Sequence, residues 1–306
     1  MLLAVLKVAV PLMTVICLGI LCRKKKILAP AGVEGMKKLV SAVLLPALVF
    51  SSFSTMDLSL KTLLIVLCSL LLQFFSFAVG AKTTKCLGKY GKYHRFLCSS
   101  SEPGMLGYAL YALLYGADRI APMILLDAGL ASFFFPFFLP RLLQANDGKG
   151  GSALKAAAKS PVLFSLLIAL LLNITGLYDK ILPTAAGGIL TDTLSMLSTP
   201  VTCLMLFSVG YGMQVEREIL RPVLRTSLIR LCAFLPLGTL MCLLLPRFGF
   251  GREYQAAVLL FCCLPASYLV SAYVQGEEQQ RYANTQLSLH AAFSVPAVLL
   301  LKLWIG

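Results

Sequence analysis

Ser99-Ser100-Ser101-Glu102-Pro103-Gly104 and Leu264-Pro265-Ala266-Ser267 each interrupt a long apolar run, and their prolines stand 162 positions apart. Proline removes a backbone donor and clashes with the preceding helical turn. Serine and glycine beside it loosen the helix further. Inside a membrane, backbone groups freed in this way survive only where they are buried in protein or line a wet cavity. Interruptions at matching places in two halves of a chain point to the binding site of a transporter. Half-helix N-termini at such a site attract anions, because their N–H groups are unpaired and the helix dipole is positive there.

The surroundings of both stretches support a membrane reading. The chain has 306 residues, 58% hydrophobic and 13% charged, with a mean hydropathy of +0.85. A soluble domain is roughly 45–50% apolar and about 25% charged. A membrane helix needs about 20 mostly apolar residues, and ten segments qualify: 2–22, 39–56, 62–81, 96–117, 120–140, 161–178, 194–214, 226–246, 254–276 and 282–301. The net charge of +14 would suggest nucleic acid on a soluble protein. Here the basic residues sit between apolar spans, where they set topology, so no nucleic-acid partner is expected. The 10 cysteines lie mostly within apolar runs, without metal-ligand spacing. They read as small buried apolar residues.

Arg23, Lys24, Lys25 and Lys26 follow the first span, whereas a signal peptide carries its positive charge ahead of the apolar stretch. That cluster should stay cytoplasmic, which places both termini outside the cytoplasm. Counted this way, 20 of the 27 basic residues fall on the inside, Arg217, Arg221, Arg225 and Arg230 among them.

The two halves share a design. Lys26-Ile27-Leu28 recurs as Lys180-Ile181-Leu182, and Pro46 recurs as Pro200, both 154 positions on. Gly116 and Pro136 recur as Gly276 and Pro296, both 160 positions on. The expected units are a first five-helix repeat at 1–141, a cytoplasmic linker at 142–160 and a second five-helix repeat at 161–306. Five is odd, so the second repeat enters the membrane from the opposite side. The expected fold is all-α and polytopic: ten transmembrane helices in two inverted five-helix repeats, with broken helices 4 and 9 crossing.

Several motifs resemble the auxin efflux carrier family of permeases, within the bile-acid/auxin transporter superfamily, over nearly the whole chain. They are the basic cluster after Leu21-Cys22, Leu45-Pro46-Ala47-Leu48-Val49-Phe50, Gly104 with Leu106-Gly107, Leu126-Asp127-Ala128-Gly129, Thr199-Pro200 and Pro265. The chain departs from the family at Glu102, where Asn is usual, and at Ala109, where Pro is usual. The resemblance implies a scaffold of spans one, two, six and seven, and a moving core of the other six. It also implies carboxylate substrates, such as malate or auxin-like acids, and a homodimer in plant members.

Ionisable residues within spans are costly and usually functional. Glu102 lies at the first break and Asp127 inside the fifth span, so these two are the candidate coupling groups for a proton or sodium ion. A cap on the following half-helix is the structural alternative for Glu102. Ser100, Ser101, Glu102, Pro103, Gly104, Pro265, Ala266, Ser267 and Tyr268 form the candidate substrate site. Ser99, Ser271 and Gln286 are further cavity candidates. Asp192 reads as solvated and His290 as a packing residue, and Lys7 and Lys302 lie near span ends. No catalytic motif, metal cluster or cofactor fingerprint appears. The expected activity is secondary transport of small organic anions across the cell membrane by alternating access. A receptor, sensor or channel on the same fold is the alternative; no soluble output domain is read after the tenth span.

Overall fold

The computed structural model describes residues 2–55, 59–147, 161–213 and 216–305. Every regular element among them is helical. Much of the linker expected at 142–160 lies outside the described residues.

In the first half, α1 spans Leu2–Lys24; its 23 residues reach about 34 Å at about 1.5 Å per residue, enough to cross a bilayer core. Helices α2 (Pro30–Leu39) and α3 (Leu45–Ser54) join through a π-turn at Val40–Leu44. The π-turn absorbs Pro46, which cannot donate back to the preceding turn, so this proline bends a continuous helix and does not break it. Next come α4 (Leu60–Thr83), α5 (Gly91–Cys98), α6 (Tyr108–Tyr115), α7 (Ala121–Phe133) and α8 (Leu139–Asp147). The second half contains α9 (Pro161–Ile174), α10 (Leu177–Ile181), α11 (Ala185–Ser198), α12 (Val201–Gly212), α13 (Leu220–Leu244), α14 (Arg252–Cys263), α15 (Leu269–Tyr273) and α16 (Glu277–Ile305).

Among the described residues, five helical runs are long and apolar enough to cross a membrane: Thr62–Cys98, Ala121–Ala145, Ala185–Gly212, Arg217–Phe248 and Glu277–Trp304. The first is not a single rod. Gly88 turns the chain at φ 52°, and α5 folds back so closely that a Cβ on Gly80 would meet the Arg95 backbone at 2.9 Å. The fourth and ninth expected spans are each made of two short helices with an extended link. The seventh begins at Ala185, several residues before its apolar core.

The helices pack in two groups. Helix α1 lies against α12, and α3 against α9 and α11. Helix α4 lies against α5, α7 and α13, while α14 packs on α7, α13 and α16. In the first group, Gly19 and Gly210 let the backbones of α1 and α12 touch: a Cβ on Gly19 would sit 2.7 Å from the Tyr211 nitrogen. Small residues permit this close approach between membrane helices. Polar cross-links add to it. The Ser165 hydroxyl donates to the Pro46 carbonyl at 2.5 Å, and the Asn173 amide to the Phe53 carbonyl at 2.7 Å. In the second group, Gly129 faces the Val66 carbonyl and the Ser69 side chain of α4, and the Ser69 hydroxyl donates to the Leu126 carbonyl at 2.6 Å. Phe77, Phe96, Phe133 and Phe138 pack around one another beside this contact.

The structure corrects one assignment made from charge. Arg230 is not a loop residue. It lies in the body of α13 and is 0% exposed. The cytoplasmic basic tally therefore loses one member.

Candidate functional site

Both interruptions arise for one local reason. A residue before proline is pushed out of the α region. Leu264, before Pro265, is extended at φ −70° and ψ 152°. Glu102 precedes Pro103, and the chain re-enters helix through a π-turn at Pro103–Gly107, closed by the Gly107 N–H on the Glu102 carbonyl at 3.1 Å. Ser100 adopts φ 58°, a left-handed conformation that costs a non-glycine residue about 1–2 kcal/mol. Such strain persists only where surrounding contacts hold it.

Those contacts tie the two breaks together. The Ser267 N–H donates to Ser100 Oγ at 3.2 Å, and the Tyr268 N–H donates to Glu102 Oε2 at 2.7 Å. Glu102 therefore reaches the start of α15, in the other half of the chain. A charge-assisted hydrogen bond of this type is worth about 1.5–3 kcal/mol. On the other side of the crossing, α5 and α14 end at unpaired carbonyls. Arg230 supplies the donors: Nη1 to the carbonyls of Cys98 at 2.9 Å and Ser99 at 3.1 Å, Nη2 to Leu264 at 2.9 Å and Pro265 at 3.3 Å, and Nε to Leu264 at 3.2 Å. Nη2 also donates to Ser101 Oγ at 3.1 Å. The Phe234 ring, one turn along α13, lies 4.5 Å from the guanidinium carbon.

Glu102 separates two cavities. The smaller, about 180 Å³, has an apolar wall that includes Leu45, Val49, Phe53 and Phe134. Asp127 also lines it and accepts from the Tyr108 hydroxyl at 2.5 Å. The larger, about 570 Å³, is lined by Glu34, Lys37 and Lys38 of α2, and by Tyr268, Ser271, Asn284 and Ser288. Leu45, Glu102, Gly104 and Ser267 line both.

The expected site residues thus divide. Ser101 and Pro103 join Glu102 on the smaller cavity, and Tyr268 and Ser271 face the larger one. Ser100, Pro265 and Ala266 are buried in the crossing and line neither cavity. Asp192 is exposed. Gln286 and His290 are buried with no hydrogen-bond partner among the described residues. Arg230, Tyr108, Asn284 and Ser288 were not singled out from sequence. For Arg230 a signal existed: apolar neighbours on both sides and an aromatic residue four positions on.

Long apolar helices of this kind make the chain a multi-pass membrane protein. In the comparison with known families, residues 4–147 match the family model described as membrane transport protein, the family of the auxin efflux carriers. That is a family of transporters and not of enzymes. No curated protein matches the chain.

Proposed function

We propose that this chain is a secondary active transporter of small organic anions, working by alternating access and coupled to protons through Glu102. The contact that carries the reading is Glu102 Oε2 on the Tyr268 N–H at 2.7 Å, made by a carboxylate that lines both cavities. Glu102 holds the half-helix N-terminus that would otherwise take the carboxylate of a substrate. An ionised Glu102 repels a second carboxylate by about 4 kcal/mol at about 4 Å in an effective dielectric of about 20. A proton on Glu102 removes that repulsion, so proton and anion bind together. The charged and titratable groups around it fit this role. Lys37 and Lys38 stand on the larger cavity and favour anion arrival, Glu34 sits beside them, Tyr108 and Asp127 face the smaller cavity, and Arg230 lies behind Ser101.

The same reading takes the ten-span inverted-repeat topology, the three units, a cell-membrane location with both termini extracytoplasmic, and a homodimer as its working frame. The close packing of α1 on α12 and of α3 on α9 and α11 supports a scaffold, and the contacts of α1 and α12 with α6 and α16 would be its seam with a moving core. One observation favours a second cargo. The smaller cavity presents two carboxylates, Glu102 and Asp127, and no Lys or Arg in its lining, which suits an organic cation when both are ionised. Counterflow in proteoliposomes with labelled mono- and dicarboxylates and labelled amines separates the two. Exchange of a carboxylate, faster at acidic pH, is expected. Exchange of amines alone would replace the anion reading, and no exchange of either would favour a receptor.

A further inference from the structure

We propose that Arg230 is a resident cation, seated where the crossing would otherwise take a mobile coupling cation such as sodium, so that this transporter neither binds nor needs sodium there. The inference rests on the transporter reading, but its test does not use transport. In crossed, broken membrane helices, half-helix N-termini face anionic groups, while unwound carbonyls and half-helix C-termini coordinate the cation. Both kinds of end are present here and both are occupied by side chains of the chain itself. Glu102 takes the N-terminal side. The guanidinium takes the C-terminal side, on carbonyls of Cys98 and Ser99 from one break and Leu264 and Pro265 from the other.

The electrostatics of this seat are those of a cation site. Arg230 is fully buried, and the ion pairs among the described residues all lie elsewhere. Its neutralising charge comes from backbone. Each helix C-terminus carries about half a negative elementary charge, and α5 and α14 both end on the guanidinium, which supplies about one in total. A guanidinium also brings five N–H donors in a fixed fork; here they reach carbonyls of both breaks and Ser101 Oγ. A sodium ion would need the same carbonyls, and while Arg230 holds them no seat is left for it. Arg230 comes from α13, outside both breaks, so it moves with the core as a fixed charge.

The test is the melting temperature of the purified full-length chain in detergent, in sodium, potassium or choline chloride, for wild type and for Arg230→Ala. Wild type should melt at one temperature in all three salts. Arg230→Ala should melt lower and regain part of the loss in sodium chloride, or in millimolar guanidinium chloride, and none in choline. A sodium-specific rise in wild type would overturn the proposal, as would an Arg230→Ala variant restored by neither cation. Should that variant not fold, Arg230→Lys serves in its place: a resident cation predicts melting that is again indifferent to sodium, and a sodium-dependent rise overturns it. Loss of carboxylate uptake with the cation results intact would instead strike the transport reading alone.

Discussion

The two breaks share a proline and a local cause, yet they contribute in opposite ways. The first, Ser99–Glu102, gives side chains beside the Ser99 carbonyl on Arg230: Ser100 accepts from Ser267, Ser101 links Arg230 to the Phe261 carbonyl, and Glu102 accepts from Tyr268. In these same contacts the second, Leu264–Tyr268, gives only backbone, as carbonyls to Arg230 and N–H groups to the first break. One break is therefore chemically specific, while the other supplies a shape and a set of dipoles. The pair is closed by a third party on α13. Two matching prolines can thus build a site that is asymmetric in chemistry.

The largest effect should come from the residue that joins both breaks. Arg230→Lys keeps the charge but replaces a five-donor fork with a compact ammonium, leaving some buried carbonyls unpaired. At about 1–3 kcal/mol for each such group, a loss of about 3 kcal/mol is expected, read as lower resistance to thermal or denaturant unfolding in detergent. A variant as stable as wild type would show that the breaks stand without the fork. Next comes Ser100, where strain and capping coincide. Ser100→Ala keeps the left-handed strain and loses the acceptor for Ser267, so it should cost about 1–2 kcal/mol. Ser100→Gly loses the same acceptor but removes the strain, and should be the milder of the two; the reverse order would contradict the strained conformation. The smallest effect belongs to the rim. Arg281 pairs with Glu216 and lies 3.6 Å from Glu218, and all three charges are outside the crossing. The Arg281 hydrogen bond holds the Glu216 carboxyl below its usual range. Its contribution is complete above the ordinary Glu value of about 4.3 and disappears as pH falls through the lowered folded value. Arg281→Ala should lower melting slightly at neutral pH and converge on wild type in acid, so that its acid limb is the flatter one.

How much of this could be read from sequence follows from the same comparison. Prolines are visible in any sequence, so both breaks and their pairing were legible, and Glu102 was legible as the one carboxylate beside them. Its hydrogen bond with Tyr268 was not. Spacing favours the half-helix that follows a cap, and the N–H that Glu102 holds is 166 positions away. Arg230 was hidden for another reason. It follows Arg217, Arg221 and Arg225, which are spaced four apart, after a further five positions, and counting basic residues near a span end cannot tell a solvated arginine from one that turns inward. Tyr108 looked like one more aromatic residue in an apolar run until its hydroxyl met Asp127. The Pro46 anchor was legible as an irregularity, but its π-turn is a bend and not a gap.

The central claim is that the side-chain-bearing break carries the coupling proton on Glu102. It is tested most directly by uptake of labelled carboxylates into proteoliposomes with and without an inward proton gradient, in wild type and Glu102→Gln. The amide mimics the protonated acid in shape and charge. Wild type should accumulate substrate when the gradient is applied. Glu102→Gln should exchange substrate across the membrane with a flat pH profile and show no gradient-driven accumulation. A Glu102→Gln variant that accumulates substrate with the wild-type pH dependence would contradict the account and leave Glu102 as a cap for α15 alone.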